Sequence, residues 1–342
     1  MPIPNFVGLA IHDLRIQYHL FEQRMTSMKH YVWVLGVGLL FTLSPHVHAY
    51  EAISVTNGGT INGKVLLKGK EPPALAYSIV INNDTEFCGR ISTGTGWRIV
   101  DEFQVAPDGG MQNVVVFLEG IHKGKPFPEE SPAKVSVEDC MFKPELTIVK
   151  DQQPIHIINM DPIIHDVQIY ETASYGPKIM LHRPLRLNPF HPKNVLKEHV
   201  HNPGEAMVDT LNFTQGRRIL FLECGFHPFM QTWGMAVTNP YYAVTDREGN
   251  FSIPEIPEGV YKLVAWHAGM AGFIDTKVVV LGGEELKTKL IFQDAKDKRA
   301  SHSTMSPTYR FSTRALEREG AKIDVQVTHE TQEDAHKSHQ GH

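Results

Sequence analysis

Short strand-like segments separated by turn residues run through most of this chain and restrict the folds open to it. Thr60–Leu67, Asn113–Leu118 and Lys277–Leu281 are examples, each rich in apolar and β-branched side chains. Gly, Pro, Asn and Asp separate the segments, and no long stretch repeats apolar residues with the period of an amphipathic helix. The sequence therefore predicts an all-β chain built from sandwiches.

The stretch Cys224–Met230 holds a thiol, an imidazole and a thioether at the spacing Cys-x-x-His-x-x-Met. A strand pattern, Arg218–Cys224, delivers the cysteine to the start of this loop. Copper is commonly held by two His and one Cys in a plane, with a distant axial Met. The loop lacks the second His. His165 is the candidate for it, because it follows the strand pattern of 146–158.

The string Cys-Gly-Phe-His-Pro-Phe-Met resembles the ligand loop of the plastocyanin-type blue copper proteins, the cupredoxins, in its amicyanin form. Upstream, His165-Asp166-Val167 resembles the His-Asn-Val that carries the first His ligand in that family. The resemblance implies a Greek-key cupredoxin sandwich with one type-1-like copper. It implies that His165, Cys224 and His227 are the equatorial ligands and that Met230 is the axial ligand.

The surroundings of these ligands follow from the same resemblance. Pro228 and Phe229 match the family and are expected next to the metal, and with Phe226 they are expected to form an apolar patch around an exposed edge of His227. That edge is the usual electron exit in blue copper sites. Asp166 departs from the family's Asn, and an ionised carboxylate can only accept hydrogen bonds. The tie between the two ligand loops is therefore expected to differ here.

Outer-sphere electron transfer is the function that the resemblance implies. The expected partner is a redox protein such as a c-type cytochrome or a dehydrogenase, docking weakly over a small interface. Two alternatives stay open: a copper carrier or sequestration module, and a structural β-sandwich interaction protein without a redox role. The sequence lacks a Ser/His/Asp arrangement and a second complete ligand set, so we do not expect an enzyme. The net charge of −5 gives no reason to expect nucleic-acid binding.

A second pattern follows the copper loop at Tyr242–Ala265, where two turn signals interrupt alternating apolar and polar residues. This string resembles the carboxypeptidase regulatory-like, or transthyretin-like, sandwich, whose opening strand resembles Gly59–Gly69. The small sandwich is either split by the copper domain or preceded by a cupredoxin that owns the N-terminal strands. The predicted divisions are an N-terminal extension with a signal peptide (1–49), N-terminal strands (50–130), the copper domain (131–238), the regulatory-like sandwich (239–292) and a disordered His-rich tail (293–342).

The N-terminal segment predicts export. The basic pair Lys29-His30 precedes the apolar run Val32–Leu43, and Val47-His48-Ala49 is typical of a cleavage site near Ala49 and Tyr50. The run is too short to cross a bilayer comfortably, so we expect a periplasmic or secreted protein without a stable membrane span.

Three cysteines in an exported protein leave one thiol to be explained. If Cys224 binds copper, Cys88 and Cys140 remain as a pair able to form a disulfide, with a second metal site as the less favoured alternative. Many of the 19 histidines lie in the long segment 172–212 and in the tail. They are expected to be solvated, although they could also collect metal.

Overall fold

The computed structural model describes residues 50–71, 74–79, 84–89, 97–128, 132–172, 177–192, 201–214, 216, 218–270, 272–293 and 309–311. The chain divides into two units, Met1–Ala49 and Tyr50–His342, and every described residue belongs to the second. The predicted signal peptide therefore lies outside the described residues. In the part of the chain that is described, no helix is both long enough and apolar enough to cross a membrane.

Strands make up nearly all the regular structure of the described residues. The one helix among them is α1 (Thr85–Cys88). The strands are β1 (Glu51–Ala52), β2 (Gly59–Leu67), β3 (Ala74–Ser78), β4 (Trp97–Val100), β5 (Val115–Glu119), β6 (Lys123–Gly124), β7 (Ala133–Val137), β8 (Phe142–Lys143), β9 (Leu146–Lys150), β10 (Pro154–Asn159), β11 (His165–Glu171), β12 (Lys178–Leu185), β13 (Ala206–Thr210), β14 (Ile219–Cys224), β15 (Gln231–Val237), β16 (Tyr242–Val244), β17 (Asn250–Ile256), β18 (Gly259–Trp266), β19 (Phe273–Val280), β20 (Glu285–Phe292) and β21 (Tyr309–Phe311). The predicted all-β fold class is confirmed.

Two sheets enclose the first hydrophobic cluster and form the first sandwich. Their strand orders are β13-β10-β7-β8 and β12-β11-β14-β15-β9. The chain crosses between the sheets from β9 to β10 to β11 and again from β12 to β13 to β14, as in a Greek-key sandwich. Alternate residues of β10 and β11 are buried, because successive side chains of a strand point to opposite faces. Ile155, Ile157, Val167 and Ile169 fill the space between the sheets.

The second sandwich combines strands from both ends of the described chain. Its sheets have the orders β17-β2-β20 and β16-β5-β18-β19. Ile61 pairs with Ile253 across β2 and β17, and Leu118 pairs with Leu263 across β5 and β18. These four side chains are fully buried in one cluster. Strands on either side of the first sandwich in sequence therefore share one core.

Residues 74–79 and 84–89 contribute to the first sandwich, although the sequence groups them with the strands before residue 131. Tyr77, Ile79 and Phe87 belong to the first hydrophobic cluster. A disulfide joins Cys88 at the end of α1 to Cys140, which lies between β7 and β8. The predicted pairing of these two cysteines is confirmed, and it fixes α1 against this sandwich.

A third, smaller cluster joins the two sandwiches. Phe221 and Trp233 on the outer face of the β14–β15 pair pack with Val115 of β5 and Trp266 of β18. The ring centroids of Phe221 and Trp233 are 4.6 Å apart, and those of Trp233 and Trp266 are 6.5 Å apart. All six residues of β14 are buried as a result.

The predicted disordered tail lies almost wholly outside the described residues. Within it, Tyr309–Phe311 forms β21, which pairs antiparallel with β3.

Candidate metal centre

Two adjacent strands bring His165 and Cys224 together. His165 is the first residue of β11 and Cys224 is the last residue of β14. The strands are antiparallel, and Val167 lies opposite Cys224 in the register. His165 and Val167 are two residues apart, so their side chains point to the same face of the sheet. Both candidate ligands therefore enter the core at one end of the sheet. The sequence pattern places His165 after a strand, whereas it begins one and is fully buried.

The loop after Cys224 is closed by three backbone hydrogen bonds. The N–H of His227 donates to the Cys224 carbonyl at 3.3 Å, and the N–H of Met230 donates to the His227 carbonyl at 2.9 Å. The N–H of Cys224 in turn donates to the Met230 carbonyl at 3.1 Å. These bonds hold His227 beside Cys224 and lead the chain to the start of β15.

Three donor atoms converge in this loop and beside it. One donor atom each from His165, Cys224 and His227 lies within 4.8 Å of the others. The Cys224 Sγ is 3.8 Å from Nδ1 of His165 and 3.5 Å from Nδ1 of His227. Among the described residues, no other group of three His, Cys, Asp or Glu side chains converges in this way. The sequence therefore identified the central cluster.

The outer ring nitrogen of His165 binds a buried carboxylate. Nε2 of His165 lies 3.0 Å from Oδ2 of Asp161, and neither side chain is exposed. Asp161 also accepts the backbone N–H groups of Asp139 at 2.7 Å and Cys140 at 2.8 Å. A carboxylate on the outer nitrogen of a histidine fixes the ring and raises its basicity as a ligand. Because Cys140 carries the disulfide, this support is tied to α1.

His227 has a similar but looser carboxylate neighbour. Its Nε2 lies 3.3 Å from Oδ2 of Asp84, at an angle that does not form a hydrogen bond. Asp84 is the N-cap residue of α1 and has a left-handed φ of 54°, yet its side chain makes no capping hydrogen bond. Asp is one of the few non-glycine residues that adopts this conformation readily. The carboxylate that could cap α1 lies against His227 instead.

Backbone groups tie the two ligand segments together. The N–H of Asp166 donates to Sγ of Cys224 at 3.4 Å, and the N–H of Gly225 donates to the Asp166 carbonyl at 2.9 Å. The Asp166 carboxylate faces away and accepts hydrogen bonds from Gln168 at 2.8 Å and His182 at 3.0 Å. The main chain therefore forms the link between the two segments, and the expectation that an Asp here alters the tie stays a prediction.

The electrostatics of the cluster favour a thiolate. Burial raises the pKa of the Cys224 thiol, but hydrogen bonds and charge from His165 and His227 outweigh it and lower that pKa to about 6. Burial also opposes protonation of His165, but its bonds to Asp161 and Cys224 raise its pKa to about 9. A thiolate is the form of cysteine that binds metals.

The predicted exposed patch around His227 is wrong. His227 is fully buried and Phe229 is 3 % exposed, and Pro228 is also buried. Only Phe226 of the predicted patch is exposed, at 41 %. The reason is the segment ending in α1, which places Asp84 over the ring edge that the resemblance predicted to be open.

Two histidines of the segment 172–212 are also less exposed than predicted. His191 is buried and its ring packs 5.7 Å from that of His201. His201 lies 3.4 Å from a carboxylate oxygen of Asp139. His182 is exposed, as expected, and His199 lies outside the described residues.

Sequence reasoning missed Asp161 and Asp84. Asp161 stands four residues before His165 in an Asp-Pro turn, and this spacing was the signal that could have identified it. Asp84 is far from His227 in the chain and only the tertiary fold brings it close. No sequence signal in this segment marks it as a neighbour of the ligands.

The donor set suits copper. Two imidazole nitrogens and a thiolate are the equatorial donors of blue copper sites. Met230 ends the same loop and its side chain is buried, 1 % exposed, and a thioether is the weak fourth ligand that blue copper sites use. The carboxylate on the outer nitrogen of His165 is a further feature of metal-binding imidazoles.

Comparison with protein families finds one match. The family described as "Polysaccharide lyase family 4, domain II" matches residues 232–288. These residues run from β15 into β20, so most of the match lies in the second sandwich and it covers less than half of the chain. No curated protein shows a significant match.

Several solved structures resemble about a third of the chain. Amicyanin from Paracoccus versutus (Thiobacillus versutus) is 14 % identical with a TM-score of 0.23, covering 32 % of this chain and 84 % of its own. A purple cupredoxin from Nitrosopumilus maritimus is 11 % identical with a TM-score of 0.22, covering 31 % and 99 %. A copper-containing nitrite reductase from Thermus scotoductus is 16 % identical with a TM-score of 0.23, covering 32 % of this chain and 23 % of its own. Similarity at TM-scores this low carries no argument about this chain. The candidate metal site therefore rests on the geometry of the cluster itself.

Proposed function

We propose that this chain is a copper protein that transfers single electrons. His165, Cys224 and His227 are the equatorial ligands in this proposal, and Met230 is the axial ligand. The observation that carries it is the buried convergence of two Nδ1 atoms and one Sγ within 4.8 Å. When bound, copper supplies reversible one-electron chemistry.

The protein's own contribution is to hold the donors still. Asp161 fixes the His165 ring, the Asp166 N–H points at Sγ of Cys224, and the loop hydrogen bonds fix His227. Donors that are held in place rearrange little when the charge between them changes, which keeps the barrier to electron transfer low. The main-chain donor to sulfur also stabilises negative charge on the thiolate.

The closed surroundings favour electron transfer over catalysis on a substrate. His165 and His227 are fully buried and Cys224 is 2 % exposed. Metal enzymes need an open position where a substrate binds, whereas an electron needs only a short path through the protein. A site buried behind a disulfide-anchored helix also suits a resident metal better than a transported one.

Phe226 is where we place the approach of a redox partner. It is the exposed aromatic side chain of the ligand loop and directly precedes His227. A c-type cytochrome or a dehydrogenase docking there needs only the small, short-lived interface typical of electron-transfer pairs. The Cys88–Cys140 disulfide supports an oxidising compartment, and thus a periplasmic or secreted location.

The second sandwich is the scaffold in this proposal, of the carboxypeptidase regulatory-like type. We propose that the copper domain, residues 131–238, is inserted between its halves. The pairings of β2 with β17 and of β5 with β18 support this arrangement.

Titration of the metal-free chain with Cu(II) tests the function. We expect one copper per chain, an intense visible thiolate band, the EPR signal of a type-1 site and reversible reduction. Cys224→Ser removes the thiolate and should abolish the band, while His156→Gln, a strand histidine outside the cluster, should leave it intact. Several weak coppers without a visible band would instead support a sequestration protein, and a band retained in Cys224→Ser would refute the ligand assignment.

A further inference from the structure

A cavity of about 350 Å³ lies beside the ligand loop, between the first sandwich and the second. Ligand-binding cavities are commonly about 300–1,000 Å³, mostly apolar, with a few converging polar groups, and they often lie between domains. The wall of this cavity has an apolar part and a polar part, and the polar part includes Arg98, Lys143 and three carboxylates. Its apolar and aromatic part consists of Phe142, Leu146, Phe229, Met230 and Trp233.

Arg98 of β4 is the polar group in the wall that the protein leaves least satisfied. Its Nε is shielded from solvent and has no hydrogen-bond partner among the described residues. One Nη atom points to Sδ of Met141, and a thioether is a weak acceptor. Among the described residues, no carboxylate lies within the 4.0 Å of an ion pair with this guanidinium, although the charges of Glu145 and Asp139 act on it from farther away. Burial lowers the pKa of Arg98, although an arginine keeps its charge in proteins.

Two of the three carboxylates in the cavity wall accept hydrogen bonds from other residues. Glu145 accepts hydrogen bonds from Gln104 at 2.7 Å and from Asn113 at 3.2 Å. Asp101 accepts the backbone N–H of Phe103 at 3.2 Å. The other cation of the wall, Lys143, forms an ion pair with Glu138 at 2.8 Å.

A partly buried cation without a counter-ion is costly, because burial removes water and nothing in the protein replaces it. A guanidinium presents parallel N–H donors that match a carboxylate in a bidentate pair. The aromatic rings of Phe229 and Trp233 in the same wall favour a flat apolar body on that carboxylate. The ligand that fits this wall is therefore a carboxylate attached to a flat apolar group.

We infer that this cavity binds a small aromatic carboxylate, with Arg98 pairing its carboxylate group and Phe229 and Trp233 packing against its ring. The inference stands on the cavity and on Arg98 and needs no metal. One consequence does rest on the proposed function. Phe229 and Met230 belong to the ligand loop as well as to the cavity wall, so an occupied cavity should alter the copper site.

Isothermal titration calorimetry of the metal-free full chain with benzoate tests the inference. We expect one saturable site in the millimolar range or tighter. Benzamide has the same shape without the charge and should not bind measurably. Absence of saturable benzoate binding to the wild type, or equal binding of benzamide, would overturn the inference.

Three variants locate the site. Arg98→Gln should weaken benzoate binding by about tenfold or more, since it removes a charge-assisted bidentate pair. Lys143→Gln makes the same charge change in the same wall, at a residue already paired, and should leave binding unchanged. Arg98→Lys keeps the charge and replaces Arg98→Gln in the test if that variant fails to fold. It should bind benzoate more weakly than the wild type, because lysine lacks the paired N–H donors of the guanidinium. Equal binding by folded Arg98 variants, or loss in Lys143→Gln, would contradict the assignment.

Copper-loaded protein gives a separate readout. Saturating benzoate should shift the visible thiolate band in the wild type and not in Arg98→Gln. Benzoate binding without a visible copper band would refute the proposed function and leave the cavity site standing. A band that benzoate leaves unshifted, despite calorimetric binding, would refute only the link between cavity and metal.

Discussion

The two sandwiches of this protein differ in what they bury. The second has a core of apolar side chains, and β19 and β20 share one pattern of alternating exposure. Its buried polar side chains are few: Asn239, Thr245 and His267. The first sandwich buries imidazoles and carboxylates within its framework, namely Asp161, His165, Glu171, His191, Glu223 and His227.

The partners of these polar groups show why the difference matters. In the second sandwich, Asn239 binds the Leu118 carbonyl at 3.0 Å and Thr245 binds the Met111 carbonyl at 2.6 Å. Such bonds stabilise turns by satisfying backbone groups. In the first sandwich, His165 binds Asp161 and faces Cys224. Burying ionisable groups against one another is costly for stability, so their presence indicates function.

The matched pair Ile157→Ala and Ile253→Ala tests whether the two cores are independent. Both side chains are fully buried, one in each cluster. Each substitution should lower the free energy of unfolding of its own sandwich by about 2–5 kcal/mol. Copper stabilises the state that binds it, so it should raise the unfolding midpoint of the transition that Ile157→Ala lowers. Thermal unfolding with and without copper measures this.

A single transition lowered equally by both variants, and raised by copper in both, would break the comparison. It would mean that the third cluster, with Trp233 and Trp266 at its centre, couples the sandwiches into one cooperative unit. Val260→Ala, an exposed position of the second sandwich, serves as the control and should change stability little.

Asp161→Asn should weaken copper binding by about ten- to a hundredfold, because it removes the carboxylate that orients His165. In the wild type, the backbone N–H groups of Asp139 and Cys140 bind the two carboxylate oxygens of Asp161. The amide of Asn keeps one of these acceptor oxygens. Competition with a chelator of known affinity measures the change. Asp209→Asn, which affects a surface carboxylate paired with Arg183, should bind copper as the wild type does. An unchanged affinity in Asp161→Asn would show that Asp161 has only a structural role.

Asp84→Asn should have the smallest effect, below about tenfold in copper affinity. Its carboxylate is 38 % exposed and forms no hydrogen bond to His227, so water screens its charge. Asn also tolerates the left-handed backbone, which keeps α1 in place. The same competition assay compares it with Asp161→Asn, and a larger loss for Asp84→Asn would reverse the ranking of the two carboxylates.

Local patterns were enough to select the candidate ligands. Cys224, His227 and Met230 lie within seven residues of one loop, where spacing alone limits their geometry. His165 follows from the strand pattern that ends shortly before it, and the pair Cys88 and Cys140 follows from the count of cysteines. The same patterns predict the all-β class, since alternation and turn residues depend on neighbours in sequence.

Long-range contacts decided the rest. The sequence by itself determined which residues are the candidate ligands, because ligand type and spacing are local properties of the chain. Only the tertiary structure decided that His227 is covered. Asp84, at the start of α1, lies against it, and the disulfide between Cys88 and Cys140 holds α1 in place. The tertiary structure also decided that β2 and β17 share one sheet and that Arg98 lines a cavity beside the loop of Cys224. Burial and pairing depend on which distant segments meet, and that depends on the packing of the whole chain.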